Sequence, residues 1–180
     1  MDLSAEKLAT ERLWLRRPEP ADADAYLALF LQPAVEEWLR PEPLAPFAAA
    51  ELTRMLEEDI EHWEDAGFGP WALIERESGA YVGRAGLRWT AIEGAAEVEL
   101  AWTVDPGRQG RGYATEAARA ALELARAERI EEVAALVLPV NLASRRVAEK
   151  LEMRRDGTAM HAGLEHLVYR LRLAPGPAGP

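Results

Sequence analysis

The sequence predicts a mixed α/β fold, an α+β arrangement with a central mixed sheet and helices on both faces. Three observations carry that expectation. Residues 68–104 hold three apolar strand patterns, punctuated by the turn signals Ser78-Gly79 and Gly94. A long Ala-rich helical pattern follows, from Ala114 to about Ala127 or Glu128. Val133–Leu138 then reads as a short apolar strand of the kind buried on both faces. Hairpin strands followed by a strand–helix–strand unit imply antiparallel and parallel pairing in one sheet, with a right-handed crossover.

Element by element, Met1–Ala9 reads as a loose end. Glu11–Arg17 alternates Leu13 and Leu15 with Arg12, Trp14 and Arg16, a half-buried strand that Pro18 and Pro20 terminate. Asp22 or Asp24 is placed to cap a short helix reaching Leu31, with Tyr26, Leu27 and Phe30 on its buried side. Four prolines between Gln32 and Phe47 predict a loop with at most one helical turn near Val35–Leu39. From Ala48 to Ala66 a helical period puts Leu52, Met55, Leu56, Ile60 and Trp63 on one face. Strands are expected at Phe68–Ile74, Tyr81–Trp89 and Glu97–Val104. After Val133–Leu138, Asn141–Leu151 reads as a helix with Leu142, Val147 and Leu151 as its apolar positions. Met153–Thr158 and Leu164–Leu173 read as the last strands. The order is β-α-α-β-β-β-α-β-α-β-β. One domain is expected over residues 8–173, with flexible termini at 1–7 and in the Pro/Gly-rich 174–180.

Composition narrows the function classes. A chain of 180 residues suits one domain with a sizeable core. A formal charge of −10 argues against non-specific nucleic-acid binding, which depends on phosphate neutralisation. The same charge favours a cationic substrate weakly, through steering, and serves solubility equally well. No apolar stretch approaches bilayer length, and no secretory pattern opens the chain, so no membrane association is expected. Without cysteine there is no disulfide, thiolate metal site or cysteine nucleophile, which fits a cytoplasmic protein. His62, His161 and His166 do not cluster with carboxylates at metal spacing, so no metal is expected. They read as structural or exposed, with His161 a candidate for a substrate loop.

The most informative stretch is Gln109-Gly-Arg-Gly-Tyr-Ala-Thr115, between the strand ending at Val104 and the Ala-rich helix. A glycine turn in front of a helix aims several N–H groups at one point and adds the positive end of the helix dipole, which suits a phosphate or pyrophosphate. Arg108 and Arg111 lie in the same turn. The dinucleotide fingerprint G-x-G-x-x-G fails at Thr115 and lacks its acidic residue about 20 residues further on. A P-loop needs Gly-Lys-Ser/Thr, and the chain's lysines are Lys7 and Lys150.

Gln109-x-x-Gly112-x-Ala114 matches the Q/R-x-x-G-x-G/A signature of the GCN5-related N-acetyltransferases, the GNAT superfamily, and its surroundings resemble that family too. Glu97–Pro106 looks like the family's fourth strand. Gly110–Ala117 resembles the turn and helix start of the RimJ/RimL-like branch of ribosomal-protein N-terminal acetyltransferases. Asn141-x-x-Ser144-x-x-x-Ala148-Glu149-Lys150-Leu151 resembles that branch's second motif. Thr10–Arg16 and His166–Leu171 resemble its first and last strands. The resemblance covers about residues 8–173. One departure is Glu152, where the family usually has a glycine, and it suggests a different ending for that helix.

The resemblance implies acetyl transfer from acetyl-CoA to a primary amine, by direct attack in a ternary complex. Gln109, Gly110, Arg111, Gly112, Tyr113, Ala114 and Thr115 would bind the pyrophosphate. Trp102, Thr103 and Val104 would meet the pantetheine arm, where the family splays two strands apart. Glu99 is the first candidate for general base, with Glu97 its rival on the same strand face. Ser144 is the candidate proton donor to the leaving sulfur, in a helix where many relatives carry a tyrosine. Asn141 reads as a helix N-cap or a pantetheine contact, and Arg108, Arg111, Arg145 and Arg146 as candidates for the CoA phosphates. Trp38, Phe47 and Trp89 are candidates for the acceptor pocket or plain core. The acceptor stays open between a protein N-terminus and a small-molecule amine, and the assembly between monomer and homodimer. The competing function is a non-catalytic acetyl-CoA-binding or regulatory module on the same fold.

Overall fold

A computed structural model describes residues 7–173; segments 1–6 and 174–180 lie outside the described residues. The elements in chain order are β1 (Lys7–Ala9), β2 (Leu13–Arg16), α1 (Ala23–Phe30), α2 (Pro33–Leu39), α3 (Ala49–Ala66), β3 (Pro70–Glu75), β4 (Tyr81–Ile92), β5 (Ala95–Val104), α4 (Tyr113–Ala127), β6 (Glu132–Val137), α5 (Leu142–Lys150), β7 (Arg154–His161) and β8 (Leu164–Arg172). The strands form one mixed sheet in the order β1-β2-β3-β4-β5-β6-β8-β7. All pairings are antiparallel except β5–β6, the strand–helix–strand unit.

Two packed layers flank the sheet. Ala117, Ala118, Ala121 and Ala125 of α4 are fully buried, so the helix sits close over β4 and β5, where Leu87, Val98 and Leu100 meet it. Small side chains are what allow that approach, and they explain the alanine enrichment. This core continues under α5 to Val133, Val137 and Leu167. Another cluster joins α1, α2 and α3 through Tyr26, Phe30, Val35, Leu52 and Leu56. Asp59 of α3 and Arg84 of β4 form a buried ion pair beneath it, with Nη2 and Oδ1 2.5 Å apart. A smaller cluster of Ile92, Ala134, Ala159 and Val168 lies at the β7–β8 end.

Several expectations need correction. Lys7–Ala9 is not loose: it pairs with β2 as an edge strand. Segment 33–39 forms a full short helix rather than a loop with one turn. Pro33 stands at its first position, where a missing N–H costs no hydrogen bond. Asp22 precedes α1, yet its carboxylate bonds Arg16 and the Glu19 amide instead of capping the helix. Leu142 is 54% exposed, so α5 is seated by Ala148 and Leu151. Glu152 takes the left-handed conformation, φ 62°, in which the family's glycine would sit. The Met153 amide reaches the Ala148 carbonyl at 3.1 Å and the Glu152 amide that of Glu149 at 3.0 Å. That is a Schellman ending built without glycine.

Candidate active site

The turn before α4 is shaped by its glycines. Gly110 and Gly112 have φ values of 76° and 88°, a conformation costly for any residue with a Cβ. Gly112 is the N-cap of α4 and carries no side-chain oxygen for the helix's first amides. Among the described residues, the amides of Gly110, Arg111, Gly112, Tyr113, Ala114 and Thr115 have no hydrogen-bond acceptor. Six N–H groups left open at a helix N-terminus form a concentrated anion site.

Two ion-pair systems fix this turn from the neighbouring strands. On one side Arg12 spans it: Nε donates to Glu116 Oε2 at 2.8 Å and Nη1 to the Arg111 carbonyl at 2.6 Å. Thr10 Oγ1 also donates to Glu116, at 2.5 Å. On the other side Glu75, at the end of β3 and only 4% exposed, accepts from Ser78 and Tyr113 at 2.5 Å each and from Arg108. Arg111 stands 3.9 Å away. The Ser78 and Tyr113 hydroxyls, with Arg108, pull the Glu75 carboxyl from the ordinary 4.5 down to about 2. Glu75, Arg12 and Glu116 were missed in the sequence. Glu75 falls just past the strand expected to end at Ile74, and its partners on the turn are more than 30 residues distant. The Tyr113 ring is buried by these contacts, so only its amide faces the turn's concavity. Arg108 is tied to Glu75, whereas the Arg111 side chain is 55% exposed. Gln109 holds the turn to the strand: its Nε2 donates to the Val104 carbonyl at 3.3 Å. A cleft of about 570 Å³ runs from Gly112 past Thr115 toward Arg119 and Lys150.

Upstream, β5 and β6 are joined by a single register pair, Glu99↔Ala134. Beyond it the strands have no register partners, so Trp102, Thr103 and Val104 border an opening in the sheet, with Glu99 at its apex. Antiparallel partners share a face, so Arg88 stands with Glu99 and Ala85 with Trp102, on opposite sides. On the Trp102 side, its Nε1 donates to Ser144 Oγ at 3.3 Å, leaving the serine O–H free to donate. Asn141 is the N-cap of α5, its Oδ1 accepting from the Ser144 amide at 3.0 Å. Arg145 turns back to the Pro139 carbonyl at 3.2 Å. On the Glu99 side, the rival Glu97 is held by Arg170, with Nη2 and Oε1 3.0 Å apart. Glu99 has no hydrogen-bond or ion-pair partner among the described residues.

The histidines divide by role. His62 bridges the Phe68 carbonyl at 2.7 Å and the Trp89 amide at 2.9 Å, a structural use of both ring nitrogens. His161 and His166 stack edge to face, 5.6 Å between centroids, on the β7–β8 hairpin. Burial lowers the His166 pKa and favours its neutral form. Phe47 packs on the α1–α3 core, Trp38 is half-buried on α2, and Trp89 is half-exposed against Phe68. Among the described residues no His, Asp and Glu cluster could hold a metal ion. No described helix is long and apolar enough to cross a membrane.

The acetyltransferase (GNAT) domain model matches residues 12–154. The chain belongs to the GNAT acetyltransferase family. The protein YkkB of Bacillus subtilis, itself uncharacterized, is 30% identical over 158 residues, covering 84% of this chain and 87% of that one. An acetyltransferase crystal structure from Agrobacterium tumefaciens superposes with a TM-score of 0.81 at 29% identity, covering 94% and 95% of the two chains. A structure described as the RimL ribosomal L7/L12 alpha-N-protein acetyltransferase in complex with coenzyme A gives 0.73 at 18% identity, covering 93% and 98%, a likeness of fold. GNAT enzymes use acetyl-CoA. The open amides before α4 and the parted strands suit the two ends of such a molecule, an anionic pyrophosphate and a thin amide-bearing arm.

Proposed function

We propose that this chain is an N-acetyltransferase that moves the acetyl group of acetyl-CoA to a primary amine by direct attack, with Glu99 as general base. The observation that carries this reading is Glu99, without a partner among the described residues, at the apex of the β5–β6 opening, with a cradle of open amides at the far end of the same opening. The amides of residues 110–115 would hold the pyrophosphate, with Arg111 as the exposed cation beside them. The 570 Å³ cleft with Arg119 and Lys150 offers room for the nucleotide end. Backbone groups of Trp102, Thr103 and Val104 that face the parted β6 lack a strand partner and would meet the pantetheine arm and the thioester oxygen.

An alkyl ammonium has a pKa of about 10, so a proton must leave before the nitrogen attacks. Glu99 is placed to take it, directly or through a water. Ser144 approaches from the opposite face with a free O–H, placed to donate to the departing sulfur, and Trp102 and Asn141 fix its position. The RimJ/RimL likeness of the sequence motifs brings a protein N-terminus among the acceptors, beside small amines. The cysteine-free composition is compatible with cytoplasmic residence.

Thiol release from acetyl-CoA over a panel of amines tests the enzyme reading. Tight CoA binding with no turnover on any amine favours a non-catalytic module instead. Gly112→Glu places a side chain and a negative charge in the cradle and is expected to abolish CoA binding in calorimetry. Unchanged affinity would remove the cofactor assignment.

A further inference from the structure

The sheet face around Glu99 carries few charges, and most are already matched. Reading across the β4–β5 register, this face presents Arg84 beside Thr103, Gly86 beside Ala101, Arg88 beside Glu99 and Thr90 beside Glu97. Arg84 is neutralised by Asp59 and Glu97 by Arg170. Arg88 and Glu99 are the remaining pair. They are direct cross-strand neighbours of opposite charge, both partly exposed, yet no ion pair or hydrogen bond joins them or engages either among the described residues. Next to them, toward the opening, Ala101 carries only a methyl group, and its partner Gly86 is buried against the Gly69–Pro70 backbone. The result is a cation and an anion side by side on a partly exposed stretch of the sheet.

Beyond Glu97, Arg170 also meets Asp156 at 2.9 Å and Glu132 at 3.4 Å. Burial raises the pKa of the Tyr26 hydroxyl, and the Arg84 and Arg88 charges oppose that rise. On the other flank stands His166, which burial favours as neutral, with His161 beyond it.

Resting on the acetyltransferase reading, we propose that Arg88 and Glu99 together select a free α-amino acid as acceptor, Arg88 binding its carboxylate and Glu99 its ammonium. An α-amino acid carries both groups on one carbon. Cross-strand neighbours have Cβ atoms about 4.5–5.5 Å apart, so one small zwitterion spans both side chains. Arginine suits the task because its planar fork meets a carboxylate with two parallel N–H donors. In the reaction one ammonium proton passes to Glu99. The freed nitrogen forms the C–N bond, the C–S bond breaks, and the sulfur leaves as thiolate. The nitrogen's second proton goes to that sulfur or to solvent, giving an N-acetyl amino acid, CoA thiol and one net proton. A peptide amine has no carboxylate within this reach and leaves Arg88 unsatisfied.

The test uses the full chain with acetyl-CoA and thiol detection. Acceptors are the free α-amino acids, their carboxamides, and short peptides with the same first residue. The expected result is at least one free amino acid with kcat/KM about tenfold to a hundredfold above its carboxamide, the worth of a charged hydrogen bond. Arg88→Gln should remove that preference by raising KM, with kcat nearly unchanged. Arg88→Lys should restore part of it, which a purely structural role for Arg88 would not produce. Carboxamides or peptides turned over as well as free acids would overturn the proposal and leave the acetyltransferase reading standing. So would an unchanged preference in Arg88→Gln. Turnover of none of these amines, with CoA still bound, would overturn both.

Discussion

Glu97 and Glu99 lie two residues apart on one strand face, and their neighbours give them different tasks. Arg170 clamps Glu97, which leaves Glu99 as the carboxylate at the opening without a partner among the described residues. Glu99→Gln is therefore expected to lower kcat by about 10²–10⁴-fold, the usual worth of a general base, with CoA affinity unchanged in calorimetry. Glu97→Gln should leave kcat within a few-fold. If the two results were exchanged, the base would be Glu97. Glu99 was a candidate through the family resemblance, and strand alternation made Glu97 its rival. What separates them was not legible, because Arg170 lies 73 residues away and reaches Glu97 across β6 only once β8 inserts between β6 and β7.

At the scale of elements, helix ends were the least legible. Both α4 and α5 finish in a Schellman turn whose left-handed residue is not glycine: Arg129 at φ 57° and Glu152 at φ 62°. In each, the following amide bonds back to the helix, Ile130 to Ala125 at 2.9 Å and Met153 to Ala148 at 3.1 Å. A missing glycine at residue 152 suggested another ending, but burial of Met153 and Leu151 drives the same one despite the steric cost. Glu152→Gly relieves that cost and is expected to add about 0.5–1 kcal/mol of stability, read as a higher urea midpoint at constant slope. No gain would mean that the glutamate is unstrained there. By contrast, α3 was legible to within a residue and the β3–β5 hairpins to within three, because long periods and the turn glycines Gly79 and Gly94 are local signals. Helix α2 was hidden by its prolines, one of which opens it.

For the molecule as a whole, Glu75 ties together three remote pieces: the end of β3, the glycine turn and the start of α4. With its folded pKa near 2 and its ordinary value at 4.5, this tether contributes fully above pH 4.5 and is lost as pH falls through that window toward 2. Stability measured by urea between pH 5 and 2 should therefore fall less steeply in Glu75→Gln than in the parent, and an equal slope would show that the tether does not titrate. The order of elements came through in the sequence because amphipathic periods are local. The sheet order did not, since nothing in β6, β7 or β8 announces that the last strand lies inside the edge.

The lone Glu99↔Ala134 pair has a mechanical consequence. The sheet is two plates, β1–β5 and β6-β8-β7, tacked at one point and backed by a continuous core under α4 and α5. A slender molecule lodged in the gap would bond to both plates at once and stand in for the missing rungs. Occupancy would then act as a weld, so that the stiffness of the protein and the loading of its active site rise and fall together.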